Sequence, residues 1–64
     1  MVKQTVTVAV DLPLDHAWAF AQFLKRAGHS DYLRLAKDSD EAYLMLYAGE
    51  TLRDALTDAG VAPR

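Results

Sequence analysis

Three carboxylates recur at intervals of four toward the C-terminal end of the chain: Glu50, Asp54 and Asp58. On a helix this spacing puts them on one face, each about 6 Å along the axis from the next. Asp40, Tyr43 and Tyr47 continue that face at spacings of three and four, and Glu41 stands next to Asp40. The product is a ridge of carboxylates carrying two phenols. Like charges four residues apart cost a helix about 0.2–0.5 kcal/mol per pair, and Arg53 offsets part of that. Two readings fit the ridge. It is the solvated face of an amphipathic helix, or it is a surface that competes for a basic groove built to hold nucleic-acid phosphates. DNA carries one phosphate per roughly 3.4 Å of rise on each strand, so the match in spacing is loose. On the second reading the partner-binding residues are Asp40, Glu41, Tyr43, Tyr47, Glu50, Asp54 and Asp58.

Little else in the chain has the spacing that chemistry needs. His16 follows Asp15 directly, and neighbours on a helix point about 100° apart, so the two form no His–Asp relay. There is no serine on a strained elbow and no glycine-rich phosphate loop. With no cysteine, disulfides and thiolate metal sites are excluded, which also fits a reducing cytosol. The only imidazoles are His16 and His29, and neither stands in a metal-binding pattern. Both read as solvent-facing, one on a helix and one in a turn. The expectation is a protein with no enzymatic activity, no cofactor and no metal. Trp18, Phe20 and Phe23 form either part of a small core or an aromatic contact surface. Trp18 reads as core, and the two phenylalanines are left open.

The elements that must carry these residues follow from periodicity. Val2, Val6, Val8 and Val10, with Gln4 as the exception on their face, alternate with Lys3, Thr5, Thr7 and Ala9, a period of two that predicts a half-buried strand over residues 2 to 10. Asp11-Leu12-Pro13 ends it, and proline suits the first turn of a helix. A helix is predicted over 14 to 27, with Leu14, Ala17, Trp18, Ala21 and Leu24 in its apolar stripe and Phe20, Phe23 and Ala27 widening it. Lys25 and Arg26 complement its C-terminal dipole, and Gly28 reads as a left-handed stop. Ser30 is placed to cap a short helix over 31 to 37, with Leu33 and Tyr32 turned inward. Asp38 and Glu41 have the spacing of a capping box, with Ser39 competing as the cap. A third helix is predicted over about residues 40 to 59. Its apolar face is read as Leu44, Ala48, Leu52, Ala55, Leu56 and Ala59. Gly49 lies inside it at a cost of about 1 kcal/mol relative to alanine, which marks a kink or a close contact. Gly60 stops the helix and Pro63 prevents its return. The run Ala42 to Tyr47 also fits a strand.

The fold class read from this order is α+β, an N-terminal strand followed by three helices (β-α-α-α), in one small domain over residues 1 to 64. A single strand leaves a row of unpaired backbone groups. It pairs with its copy in a homodimer, pairs with a misread strand at Ala42–Tyr47, or lies at an edge against helices. A chain of 64 residues buries only about 60% of its unfolded surface, so its core is thin. Hydrophobic residues make up 52%, too many for a disordered tail. No stretch reaches the roughly 20 apolar residues of a membrane helix, and no signal peptide is evident at the N-terminus. A complete cytoplasmic protein is expected. Charge is uneven: side chains sum to +2 over residues 1 to 37, −5 over 38 to 60 and −2 in all. The acidic element is the one that can become a patch.

An opposite reading uses the other end. A strand carrying Lys3, Thr5 and Thr7, a Pro13 turn and two helices resemble a ribbon-helix-helix regulator or antitoxin, which dimerises through the strand and reads the major groove with its outward side chains. Only one base, Lys3, stands in that outward set, where a DNA reader carries a basic footprint.

Several segments carry a second resemblance, one that spans nearly the whole chain. They are Thr5-Val6-Thr7-Val8, Asp11-Leu12-Pro13-Leu14, Ala19-Phe20-Ala21-Gln22-Phe23-Leu24-Lys25-Arg26, Asp40-Glu41-Ala42-Tyr43 and Ala59-Gly60-Val61-Ala62-Pro63-Arg64. In these the chain resembles small proteins of bacteria and their mobile elements, among them phage-type anti-CRISPR inhibitors of type I-C CRISPR–Cas systems. The resemblance implies a protein of the bacterial host cytoplasm that binds a subunit of the RNA-guided surveillance (Cascade) complex and stops it engaging target DNA. It gives the acidic ridge a role, because such a complex holds DNA in positively charged channels. Glu50, Asp54 and Asp58, with Asp40 and Glu41, are then expected to make the decisive contacts. The net charge is low for a DNA mimic, so steric blocking through the aromatic surface serves the same role.

Overall fold

Pro13 opens the first regular element of the computed structural model, which describes residues 4–64. Helix α1 runs Leu14–Arg26, helix α2 His29–Leu33 and helix α3 Ser39–Asp58. Pro13 is the N-cap of α1, with extended backbone; its carbonyl accepts the Ala17 N–H at 3.0 Å, and its missing N–H costs nothing ahead of the helix. The last turn of α1 holds Lys25 and Arg26, against the negative end of the helix dipole.

Gly28 does not adopt the left-handed stop expected of it. Its φ is −115°, and it caps α2 instead. The cause is local: Asp31 reaches back and accepts the Gly28 N–H at 2.9 Å. The cap therefore falls two residues before Ser30, and α2 ends at Leu33, with turns and bends taking the chain to Asp38. Asp38 is the cap of α3, its carboxylate accepting the Glu41 N–H at 2.9 Å. Glu41 returns one residue further than a capping box requires, to the Lys37 N–H at 3.0 Å. Ala42–Tyr47, which also fitted a strand, lies within α3.

The far end of α3 closes in a Schellman turn. Gly60 has φ +94°, Val61 N–H reaches the Leu56 carbonyl at 2.8 Å, and Gly60 N–H reaches that of Thr57 at 3.0 Å. The turn folds Val61 back into the core with Ala17 and Ala21, beside Leu56. Helix α3 is the spine, packing against both α1 and α2.

The expected α+β class is not what forms. Among the described residues there is no β-strand, and residues 4 to 13 carry no regular secondary structure. Val2 and Lys3 lie outside the described residues. The physical reason is pairing: a strand exists only against another strand, and the one other candidate segment is helical. The strand-paired arrangement goes with it. Val6, Val8 and Val10 alternate as read, yet they are 84%, 71% and 68% exposed.

The core is also set differently on α3. Its buried side is formed by Ala42 and Gly49, with Met45, Leu46 and Leu56 half-buried. The predicted face is turned from this by roughly a quarter of the helix circumference, so that Leu44 is 67% exposed and Ala48, Leu52, Ala55 and Ala59 are exposed too. On α1 the stripe delivers Ala17, Ala21 and Leu24 to the core and leaves Leu14 out. Trp18, read as core, is 39% exposed, and Phe20 and Phe23 are exposed beside it.

Candidate functional site

The position of the acidic ridge follows from which side of α3 is buried. With Ala42 and Gly49 turned inward, helical geometry puts Asp40, Tyr43, Tyr47, Glu50, Asp54 and Asp58 within about 80° of one another on the opposite side. All six are exposed. The helix that carries them has no basic residue in its last turn, where a cation would be favourable and a carboxylate is not. Among the described residues the one ion pair is Arg34–Asp31 at 3.1 Å, on α2 and the turn after it. Arg53, expected to offset the ridge, makes none.

Glu41 departs from the predicted set. It is half-buried, and its carboxylate is engaged at the Lys37 N–H. Its position on α3 is about 100° from Asp40, off the ridge. Adjacency in sequence placed it there in the reading; helical geometry and its capping bond remove it.

The two phenols stack on each other, ring centroids 6.1 Å apart and planes 29° off parallel. The ladder has a third member that the sequence reading missed. The His29 ring lies 4.2 Å from Tyr43, and its Nε2 is 3.3 Å from Ser39 Oγ. His29 is therefore half-buried and packed, not a free turn residue. Its signal was available: a histidine just ahead of a short helix, ten residues before Ser39, needs only one reversal of the chain to meet the start of α3. From the N-terminal end of α3 the ridge thus reads as Asp40, the two phenols with the His29 imidazole on Tyr43, and then Glu50, Asp54 and Asp58.

His16 is exposed, as expected. The Asp15 carboxylate accepts the His16 backbone N–H at 2.9 Å, so it serves the first turn of α1. Among the described residues no three of His, Cys, Asp and Glu converge as metal ligands. No described helix is long and apolar enough to cross a membrane.

A second surface lies on another side of α3. Val10, Leu12, Leu14, Phe20, Leu52 and Leu56 are among the residues that line an open apolar groove of about 680 Å³ between α1 and the C-terminal half of α3. Its α3 residues point away from the ridge.

The described residues form a small fold of three helices, with acids and an aromatic ladder on one face of α3. The chain belongs to a family of unknown function, DUF7706, matched over residues 1–64. No curated protein and no solved structure matches it.

Proposed function

We propose that this chain is a non-enzymatic binding protein that engages a type I CRISPR–Cas surveillance complex and blocks its access to target DNA. The ridge of α3 is the contact surface. One observation supports the reading above the others: Asp40, Glu50, Asp54 and Asp58 line one solvent-facing side of a single helix and hold no ion-pair partner among the described residues. Four unneutralised carboxylates along one edge suit a channel lined with Lys and Arg. Tyr43 and Tyr47 add flat, amphipathic area next to them, the kind of side chain that anchors interfaces. The resemblance to phage-type inhibitors of type I-C systems supplies the identity of the partner.

The competing regulator reading loses its main support. It needs a strand that enters a DNA groove, and residues 4 to 10 form none. The test is target-DNA binding by a purified type I-C surveillance complex, with and without this protein, beside a mobility shift of the same DNA by this protein alone. The proposal expects the complex to lose its DNA and the protein alone to leave the DNA unshifted. Retention of DNA by the complex, with a direct shift by this protein, overturns it.

A further inference from the structure

We infer that the working form is a homodimer in which residues 4 to 9 of each chain lie in the apolar groove of the other. The area points this way first. The chain exposes 5522 Å², whereas a compact monomer of 7.1 kDa exposes about 4,100 Å². The surplus, about 1,400 Å², exceeds the roughly 800 Å² per partner that a stable interface buries. The radius of gyration agrees: 12.9 Å against about 10.7 Å for a compact chain of this length. No large side chain of the described residues is fully buried. A domain of this size without a disulfide or metal is one that oligomerisation stabilises.

The shape of the exposed surface says what covers it. Both halves of a contact sit on the same chain. One is the N-terminal arm, where Val6 and Val8 stand uncovered among uncharged neighbours from Gln4 to Val10. The other is the groove floored by Ala17, Leu52, Leu56 and Val61. Val10 and Leu12 already form one edge of that groove, so the arm leaves its own chain at the rim of a site that fits its apolar side. A two-fold exchange covers both arms and both grooves at once, the self-complementary arrangement that closed dimers use. The contact is side chain against groove and needs no sheet. Neither the arm nor the groove lining holds an Asp, Glu, Lys or Arg, and His16 is the one titratable residue of the lining, so two acidic chains meet there without repulsion between carboxylates. The acidic ridge stays outside, on the far side of α3.

The chain has no native cysteine, which makes the test direct. Light scattering across the micromolar range is expected to give twice 7.1 kDa for the wild type and for Leu35→Asp, an exposed position outside the groove. Val8→Asp is expected to give one chain. A wild type of single-chain mass, or a dimer that survives Val8→Asp, overturns the proposal. Circular dichroism checks that Val8→Asp is folded, and the arm is located separately by mixing Val8→Cys with Leu52→Cys under oxidation. A disulfide between the two variants supports exchange. A doubly substituted chain that closes only on itself shows the arm in its own groove and overturns it, as does the absence of a disulfide between the two single variants.

Discussion

Gly49 meets Tyr32 where α2 crosses α3. A Cβ built on Gly49 falls 2.5 Å from the Tyr32 hydroxyl and 3.4 Å from Leu24 Cδ2. This settles what a glycine is doing inside a long helix: it is a close contact between elements. Alanine there gains about 1 kcal/mol in helix propensity but overfills the crossing, at about 1–3 kcal/mol. Gly49→Ala is expected to lower stability by about 1 kcal/mol, or about 4–8 °C in Tm for a domain of this size. Tyr32→Phe removes the hydroxyl and leaves the ring carbon at an ordinary 3.4 Å. In that background the same alanine is expected to be neutral or stabilising in a urea titration. A coupling between the two sites below about 0.5 kcal/mol would contradict the contact. Gly60 is the other glycine with a task, at φ +94°. Gly60→Ala is expected to cost about 1–2 kcal/mol, read by thermal melting, because it strains the turn that returns Val61 to the core. The sequence showed both glycines and the stop at Gly60. It did not show Val61 as core, since a residue past a helix end belongs to no periodic stripe.

At the scale of elements, the helices were legible and their faces less so. Pro13, the Asp38 cap and Gly60 fixed the bounds of α1 and α3 to within a residue or so, because each signal acts through backbone atoms a few positions away. The buried face of α3 was not legible. Leu44, Ala48, Leu52, Ala55, Leu56 and Ala59 form one apolar stripe, and periodicity alone does not say that a neighbouring stripe is the buried one. Helix α3 instead turns Ala42 and Gly49 inward, where α1 and α2 approach closely, keeps Leu56 half-buried and leaves Leu44 and Leu52 outside. The N-terminal segment failed for a related reason. Alternating valines describe a chain that will be covered on one side, and they say nothing of whether the cover is a strand or a groove. The ridge carries its own prediction at this scale. Asp58 ends α3, where the dipole disfavours a carboxylate, and it repels Asp54 one turn earlier. Asp58→Lys is expected to stabilise the fold by about 0.5 kcal/mol at low salt, measured by denaturant titration, while weakening partner binding. A charge kept against the preference of its own helix is what a binding surface predicts. Loss of stability in that variant would instead make Asp58 a structural residue.

For the molecule as a whole, the two proposals rest on different surfaces. The apolar groove and arm are proposed for assembly, and the acidic face of α3 is proposed for the partner. They lie on different sides of one helix, so changes to one are separable from changes to the other. Of the seven residues proposed from sequence for partner binding, six share the exposed ridge and Glu41 caps the helix instead. The pattern of acids was legible because an interval of four survives any choice of buried face. Its aromatic end was legible only in part, because His29 joins through tertiary packing. The most direct test compares two proteins, each added to one purified type I-C surveillance complex before its target DNA: the wild type, and the triple variant Glu50→Lys, Asp54→Lys, Asp58→Lys. The ridge predicts that the wild type abolishes DNA binding and that the triple variant, folded by circular dichroism, leaves it intact. Equal inhibition by both, or inhibition by neither, would contradict it.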